Sequence, residues 1–417
     1  SNYARLPGKA GGFPNRLKDT LMTQPLLISF LGKNTLDPIK GYRTANYVID
    51  GQTYTTAYFG FALAQHLRPA KMVLLGTSGS MWDVLIEAHA ADGQQEEARL
   101  RLLDLAQNNR VDAAILDELA PMIEKHLGCP VEMKIIPYAR DTNEQLAILT
   151  TIAAAVQPQQ EVVLDITHGF RHLPMLGLVA AHYLERVKQV RVQGLYYGAL
   201  DMSSEGKTPV LDLRGMLQTM EWIRAFAAYD ASGNYAPFAD MLADEGWSAA
   251  ECNTLREAAF FERTTNIVKA KEKLSGLKPA LERRGSAFLR LFGDELQKRL
   301  SWWRSPQRAD WEISLAQTYY DKGDYLRASI FTQEACLSAS LPANQQNEFS
   351  DQREANRTTM QKADGRFLRL SHIRNGMAHG VKGWQQESAK VLQKEQSLRA
   401  TLGDFIKNWR TLGKTPA

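Results

Sequence analysis

Short apolar runs punctuate the first half of the chain at intervals that leave room for helices. "PLLISFL" (25–31), "KMVLLGT" (71–77), "VEMKIIP" (131–137), "EVVLDIT" (161–167) and "VRVQGLYYG" (190–198) each read as a strand. The helical stretch "TAYFGFALAQHL" precedes the second run, and residues 93–128 read as further helices inserted between two strands. Continuous apolar strands alternating with helices predict a parallel sheet covered on both faces, a Rossmann-like plan. "PVLDL" (209–213) is expected as a last strand, hairpinned to its predecessor through the turn-rich "DMSSEGKT". After residue 213 the period changes. "LRGMLQTMEWIRAF" has helical spacing, "SLAQTYYDKGDYLRASIFTQEACLSASL" reads as two helices around "DKGD", and no further strand is expected. The chain is therefore divided into an α/β domain at 20–213 and an all-α bundle at 214–417.

The bulk numbers agree with two domains. At 417 residues the chain exceeds one ordinary core, and 44% hydrophobic with 23% charged residues fits a globular protein. No apolar run approaches a membrane span. The N-terminus lacks the charged-then-apolar layout of a signal peptide. Three scattered cysteines without a C-x-x-C pair suit a reducing cytoplasm and exclude a zinc ribbon. A net charge of +4 permits an RNA or nucleotide partner without requiring one.

Ligands of open parallel sheets bind beyond the carboxyl ends of the strands. Three such ends carry glycine, hydroxyl and cationic groups: "GKNT" (32–35), "GTSGSMW" (76–82) and "DITHGFR" (165–171). Candidate ligand residues are Gly32, Lys33, Asn34, Thr77, Ser78, Gly79, Thr167, His168, Gly169 and Arg171. Glycines admit backbone N–H groups to a phosphate, hydroxyls donate to its oxygens, and the cations supply charge. "GTSGSMW" lacks the lysine of a P-loop, and no G-x-G-x-x-G follows a strand, which argues against a nicotinamide dinucleotide. A plainer reading stays open, in which Asp165 and Thr167 cap the next helix and His168 is a satisfied structural histidine.

"LLISFLG", "DITHGFRHLP" and "GLYYGAL" before "PVLDL" resemble the CARF domain of CRISPR-associated proteins over roughly residues 20–215. Asp165, Thr167, His168 and Gly169 match the D-x-T-H-G string that names one group of that family. The resemblance implies a Rossmann-like domain that forms a two-fold dimer and binds cyclic oligoadenylate, with cyclic tetra-adenylate the expected ring.

In the helical half, "SHIRNGMAHG" (371–380) places Arg374, Asn375 and His379 in an R-N-x-x-x-H pattern that resembles the HEPN ribonuclease motif. Asn375 and His379 share a helix face, whereas Arg374 lies about 140° round from His379. "DKGDYLRASIFTQEA" (321–335) resembles the first helices of that domain, and Gly380 is expected to end the motif helix. The same residues also fit a solvated helix face closed by a histidine at its negative end. RNA carries its own nucleophile, the 2′-hydroxyl. His379 would serve as acid or base, Arg374 would hold the phosphate, and Asn375 would orient either; no metal or other cofactor is required. The reading is a cytoplasmic, cyclic-oligoadenylate-activated endoribonuclease that cuts single-stranded RNA to a 2′,3′-cyclic phosphate. Two rivals stand beside it: a non-catalytic sensor whose helical half binds a partner, and a nuclease that also degrades its own activator.

Overall fold

The computed structural model describes residues 24–34, 36–37, 41–87, 93–342, 346, 351–380 and 386–414. The expected domain start near residue 20, and Thr35 of "GKNT", lie outside them. The chain divides between Gln218 and Thr219 into two compact units. The division falls inside the helix Arg214–Ser232.

The described residues of the first unit form ten strands: β1 (Leu26–Leu31), β2 (Leu36–Asp37), β3 (Gly41–Tyr42), β4 (Ala45–Ile49), β5 (Gln52–Thr56), β6 (Lys71–Gly76), β7 (Val131–Ile135), β8 (Glu161–Asp165), β9 (Arg191–Gly198) and β10 (Thr208–Asp212). Eight of them form one sheet in the order β5-β4-β10-β9-β8-β1-β6-β7. The run β7-β6-β1-β8-β9 is parallel throughout. β1 is buried at every position because it lies at the middle of this run. Each large apolar side chain sealed there contributes roughly 1.5–3 kcal/mol. β10 closes antiparallel on β9, as its turn-rich connection predicts.

Within the parallel run, β6 and β7 lie on one side of β1, and the chain then returns to β8 and β9 on the other. That reversal falls between β1 and β8, and open α/β sheets take ligands in the crevice beyond the carboxyl ends of the strands at such a point. Helical crossovers Phe59–Leu67, Thr142–Ala154 and Leu173–Arg186 link the parallel strands.

Two elements depart from expectation. The stretch 56–67 is helical only from Phe59. The β4–β5 hairpin, together with the small β2–β3 pair, was not anticipated. The β4–β5 signal was present in "NYVIDGQTYTT": Asp50 and Gly51 take φ of 48° and 79°, the turn that a D-G dipeptide favours between alternating strands.

Among the described residues of the second unit the regular elements are all helices. Arg308–Asp321 and Tyr325–Ser340 form a hairpin about Gly323, with Asp324 accepting from the Arg327 amide at 3.0 Å to start the second helix. Gly365–His379 and Glu395–Lys407 pack with them around Ala335, Leu337, Leu370, Ile373, Leu402 and Phe405. A second cluster gathers Trp222, Phe226, Phe238 and Phe331.

Candidate functional site

The strand-end loops expected to bind a ligand come together in the first unit. Ser80 Oγ donates to the Leu31 carbonyl at 2.7 Å and the Met81 amide to the Gly32 carbonyl at 2.9 Å, tying the loop after β6 to the loop after β1. A Cβ on Gly32 would collide with the backbone nitrogen of Gly169, so the loops after β1 and β8 meet backbone to backbone. Gly169 has φ +127°, a conformation that other residues rarely adopt.

The polar string at the end of β8 serves mostly inward. Asp165 is fully buried; its Oδ2 accepts from Ser29 Oγ at 2.5 Å and its Oδ1 from the Thr167 amide at 2.9 Å. Burial pushes this carboxyl up to about 6, against the opposing pull of those hydrogen bonds. Thr167 Oγ1 accepts from the Gly198 amide at 2.8 Å, fastening the loop to β9. His168 Nε2 accepts from the Phe59 amide at 3.0 Å. Burial pushes the imidazole down to about 4, so it is neutral and its proton sits on Nδ1.

The plainer reading, in which Asp165 and Thr167 cap the next helix, does not hold. That helix begins at Leu173 behind His172, and Asp165 instead closes an Asx-type turn. Thr77 also serves inward: its side chain is buried, its amide donates to Ser80 Oγ at 2.9 Å, and Asn109 Oδ1 crowds the neighbouring Gly79. Ser78 is half-buried, whereas Lys33, Asn34, Gly169 and Arg171 lie exposed. The floor of the crevice is thus a locked hydrogen-bond frame, and exposed cations and glycine backbone form its rim.

One cluster at this edge was missed from sequence. Phe170, 41% exposed, stacks on His172 with centroids 5.8 Å apart and planes 11° off parallel. Tyr138, from the loop after β7, lies 5.7 Å from Phe170. Hydrogen bonds set this geometry: His172 Nε2 pairs with the Tyr138 carbonyl at 3.0 Å, and Tyr138 Oη donates to Asn109 Oδ1 at 3.1 Å. Phe170 and His172 stand inside the "DITHGFRHLP" stretch, and an aromatic ring beside Arg171 on a strand-end loop was the available signal.

In the second unit, Asp364 starts the helix Gly365–His379 by accepting from the Arg366 amide at 2.8 Å, and Gly380, at φ 84°, ends it. His379 is exposed on its last turn, near the negative end of the dipole. Arg374 and Asn375 are half-buried. Arg374 Nε donates to Gln333 Oε1 at 3.3 Å, and no carboxylate pairs with Arg374 among the described residues. Burial, and then the nearby charge of Arg357, weaken the hold of this guanidinium on its proton.

A family model described as "CRISPR system endoribonuclease Csx1, CARF domain" matches residues 26–201. The match starts on the first residue of β1 and takes in every strand-end loop described above. Residues 26–201 thus carry a CARF domain of the kind found in CRISPR-associated proteins. "CRISPR-associated protein MJ1674" of Methanocaldococcus jannaschii is 27% identical over 394 residues, an alignment that covers 85% of this chain and 62% of that protein. Coverage of that extent reaches beyond the CARF unit into the helical unit. The chain spans about 62% of the length of this relative. No helix among the described residues is long and apolar enough to cross a membrane.

Proposed function

We propose that the chain is a ligand-gated endoribonuclease of the D-x-T-H-G group: its CARF unit binds cyclic oligoadenylate, and its helical unit, a HEPN-type nuclease, then cuts single-stranded RNA. One observation carries the nuclease reading. On a single helix, a guanidinium without a carboxylate partner stands five residues before an exposed histidine. A cation left uncompensated in a half-buried position is costly unless an anion completes it, and an RNA phosphate is such an anion.

In the proposed mechanism Arg374 holds the scissile phosphate and offsets charge on its oxygens in the transition state. His379 exchanges a proton with the 2′-hydroxyl or the leaving 5′-oxygen, and Asn375 orients the bound group. The 2′-oxygen displaces the 5′-oxygen at phosphorus and leaves a 2′,3′-cyclic phosphate. No step calls on a metal. One protomer supplies few such groups, so the working unit is a two-fold dimer with paired motifs. The same symmetry suits a ring of four adenylates resting on two copies of the crevice rim, with Lys33, Arg171 and the Gly169 backbone on its phosphates. Neutral His168 and the Asp165 frame hold the rim in shape.

Two variants separate the roles. His379→Ala is expected to bind cyclic tetra-adenylate like the wild type in calorimetry and to cleave no RNA. Arg171→Ala is expected to bind the ring more weakly and to need more of it for the same cleavage. Cleavage by His379→Ala at the wild-type rate would sink the nuclease assignment. A ring that binds but is itself cut would favour the self-limiting alternative.

A further inference from the structure

The amide that touches Arg374 sits in a hydrogen-bond arrangement with no slack. Gln333, on the helix Tyr325–Ser340, is 1% exposed. Its Nε2 donates to Ser371 Oγ at 2.7 Å, and Gln361 Nε2 donates to the same oxygen at 3.0 Å. Ser371 spends its own proton on the Phe367 carbonyl at 3.1 Å. A hydroxyl has one proton and two lone pairs, so both lone pairs of Ser371 are filled by amide donors. The Gln333 amide therefore cannot flip without setting its carbonyl oxygen against an oxygen with no proton left to give. Oε1 is fixed toward Arg374, where it accepts from Nε at 3.3 Å.

Carboxylates are close by, yet other arginines hold them. Glu334, the next residue on the same helix, takes Arg353 at 2.5 Å and Arg357 at 2.8 Å. Glu354 pairs with Arg357, and the fully buried Glu312 pairs with Arg308 at 2.8 Å and Arg353 at 3.5 Å. The only polar partner of Arg374 among the described residues is neutral. A carboxylate in that place would aim the guanidinium equally well but would cancel the charge that a phosphate needs.

We propose that Gln333 is a positioning residue of the nuclease site, which fixes the direction of Arg374 through Nε while leaving its charge and its terminal nitrogens for an RNA phosphate. The inference rests on the nuclease reading above. It explains why an amide stands among so many charged groups, and it makes the neutrality of residue 333 the property that matters.

The test uses the full chain with cyclic tetra-adenylate and a fluorescent single-stranded RNA. Gln333→Glu changes charge at nearly constant shape. Its carboxylate would pair with Arg374, in a setting that also contains Arg353, Arg357, Arg308, Glu334, Glu354 and Glu312. At pH 8 KM for RNA is expected to rise at least about tenfold, since roughly 1.4 kcal/mol of phosphate attraction is lost. Ring binding should stay as in the wild type. The deficit relative to wild type should shrink as pH falls, because the protonated carboxyl is neutral like the amide; a packing defect would not recover. Gln333→Met removes the acceptor without adding charge, and should lower kcat more than it raises KM, since misdirected groups cost rate. If both variants bind the ring and cleave with wild-type kcat and KM, while Arg374→Ala does not cleave, Gln333 has no such role. If the wild type itself does not cleave RNA, the nuclease reading fails and the inference with it.

Discussion

His168 offers a quantitative test of the claim that the β8 loop is a rigid, neutral frame. Its imidazole is pushed from 6.5 to about 4 by burial, with Nε2 accepting from the buried Phe59 amide. In the unfolded chain the ring takes a proton as pH falls below 6.5, and in the folded chain it resists until about 4. The contribution of the neutral ring is therefore complete above pH 6.5 and is lost as pH falls toward 4. Its full size is about 3 kcal/mol, of which roughly 2.5 kcal/mol is gone at pH 4.5. Asp165 opposes this, because its carboxyl is raised to about 6 and its contribution is greatest at low pH and lost as pH rises through 6. Comparing the wild type with His168→Leu cancels the Asp165 part, since both chains keep it. Near pH 7.5 the variant leaves the Phe59 amide unpaired and should cost about 1–3 kcal/mol. Near pH 4.5 the difference should vanish or change sign, because only the wild type carries the protonation penalty. Hydrogen exchange at the β1 and β8 amides, corrected for intrinsic rates, reads the opening of this unit at both pH values. A gap between the two chains that stays constant from pH 7.5 to 4.5 would mean that His168 is not held neutral, and the frame argument would fail.

Three further outcomes are expected. Phe170→Ala should weaken cyclic tetra-adenylate by the roughly 1–3 kcal/mol that an aromatic ring contributes beneath a stacked base; calorimetry with unchanged affinity would leave the Phe170–His172 pair without a ligand role. Lys33→Ala with Arg171→Ala should lower affinity for the ring and flatten its salt dependence, because two exposed cations no longer meet its phosphates; an unaltered salt slope in titrations would remove them from the rim. Arg374→Ala should abolish cleavage and leave the melting temperature within a few degrees of wild type, because the guanidinium has no carboxylate partner to lose; a collapse of the fold in a thermal melt would show the residue to be structural.

The parallel core was legible because β1, β6 and β8 are apolar on both faces, which leaves a run of hydrophobic residues that no other element explains. The β4–β5 hairpin escaped because its polar, threonine-rich edge strand, "QTYTT", resembles a loop unless Asp50-Gly51 is given its weight as a turn. For the site, the three loops named from sequence meet at one edge of the sheet, but the direction of each side chain was not legible. Thr77, Thr167 and His168 look like ligand groups in a string of letters, and only the fold shows their hydrogen bonds turned toward Ser80, Gly198 and Phe59. The bond from Arg374 to Gln333 spans 41 residues, and nothing in the local pattern around either one announces it.

In the proposed function, a ligand on the CARF unit governs RNA cleavage by the helical unit. A ligand can do this only by favouring one arrangement of the protein over another, a coupling on the order of 1–3 kcal/mol. The most direct measurement is the initial rate of single-stranded RNA cleavage by the full chain in EDTA, with and without cyclic tetra-adenylate. Weak basal cleavage is expected to rise at least about tenfold with the ring, with a product ending in 2′,3′-cyclic phosphate and no loss to EDTA. A rate that ignores the ring, or one that appears only when a divalent ion is restored, would contradict the proposed function.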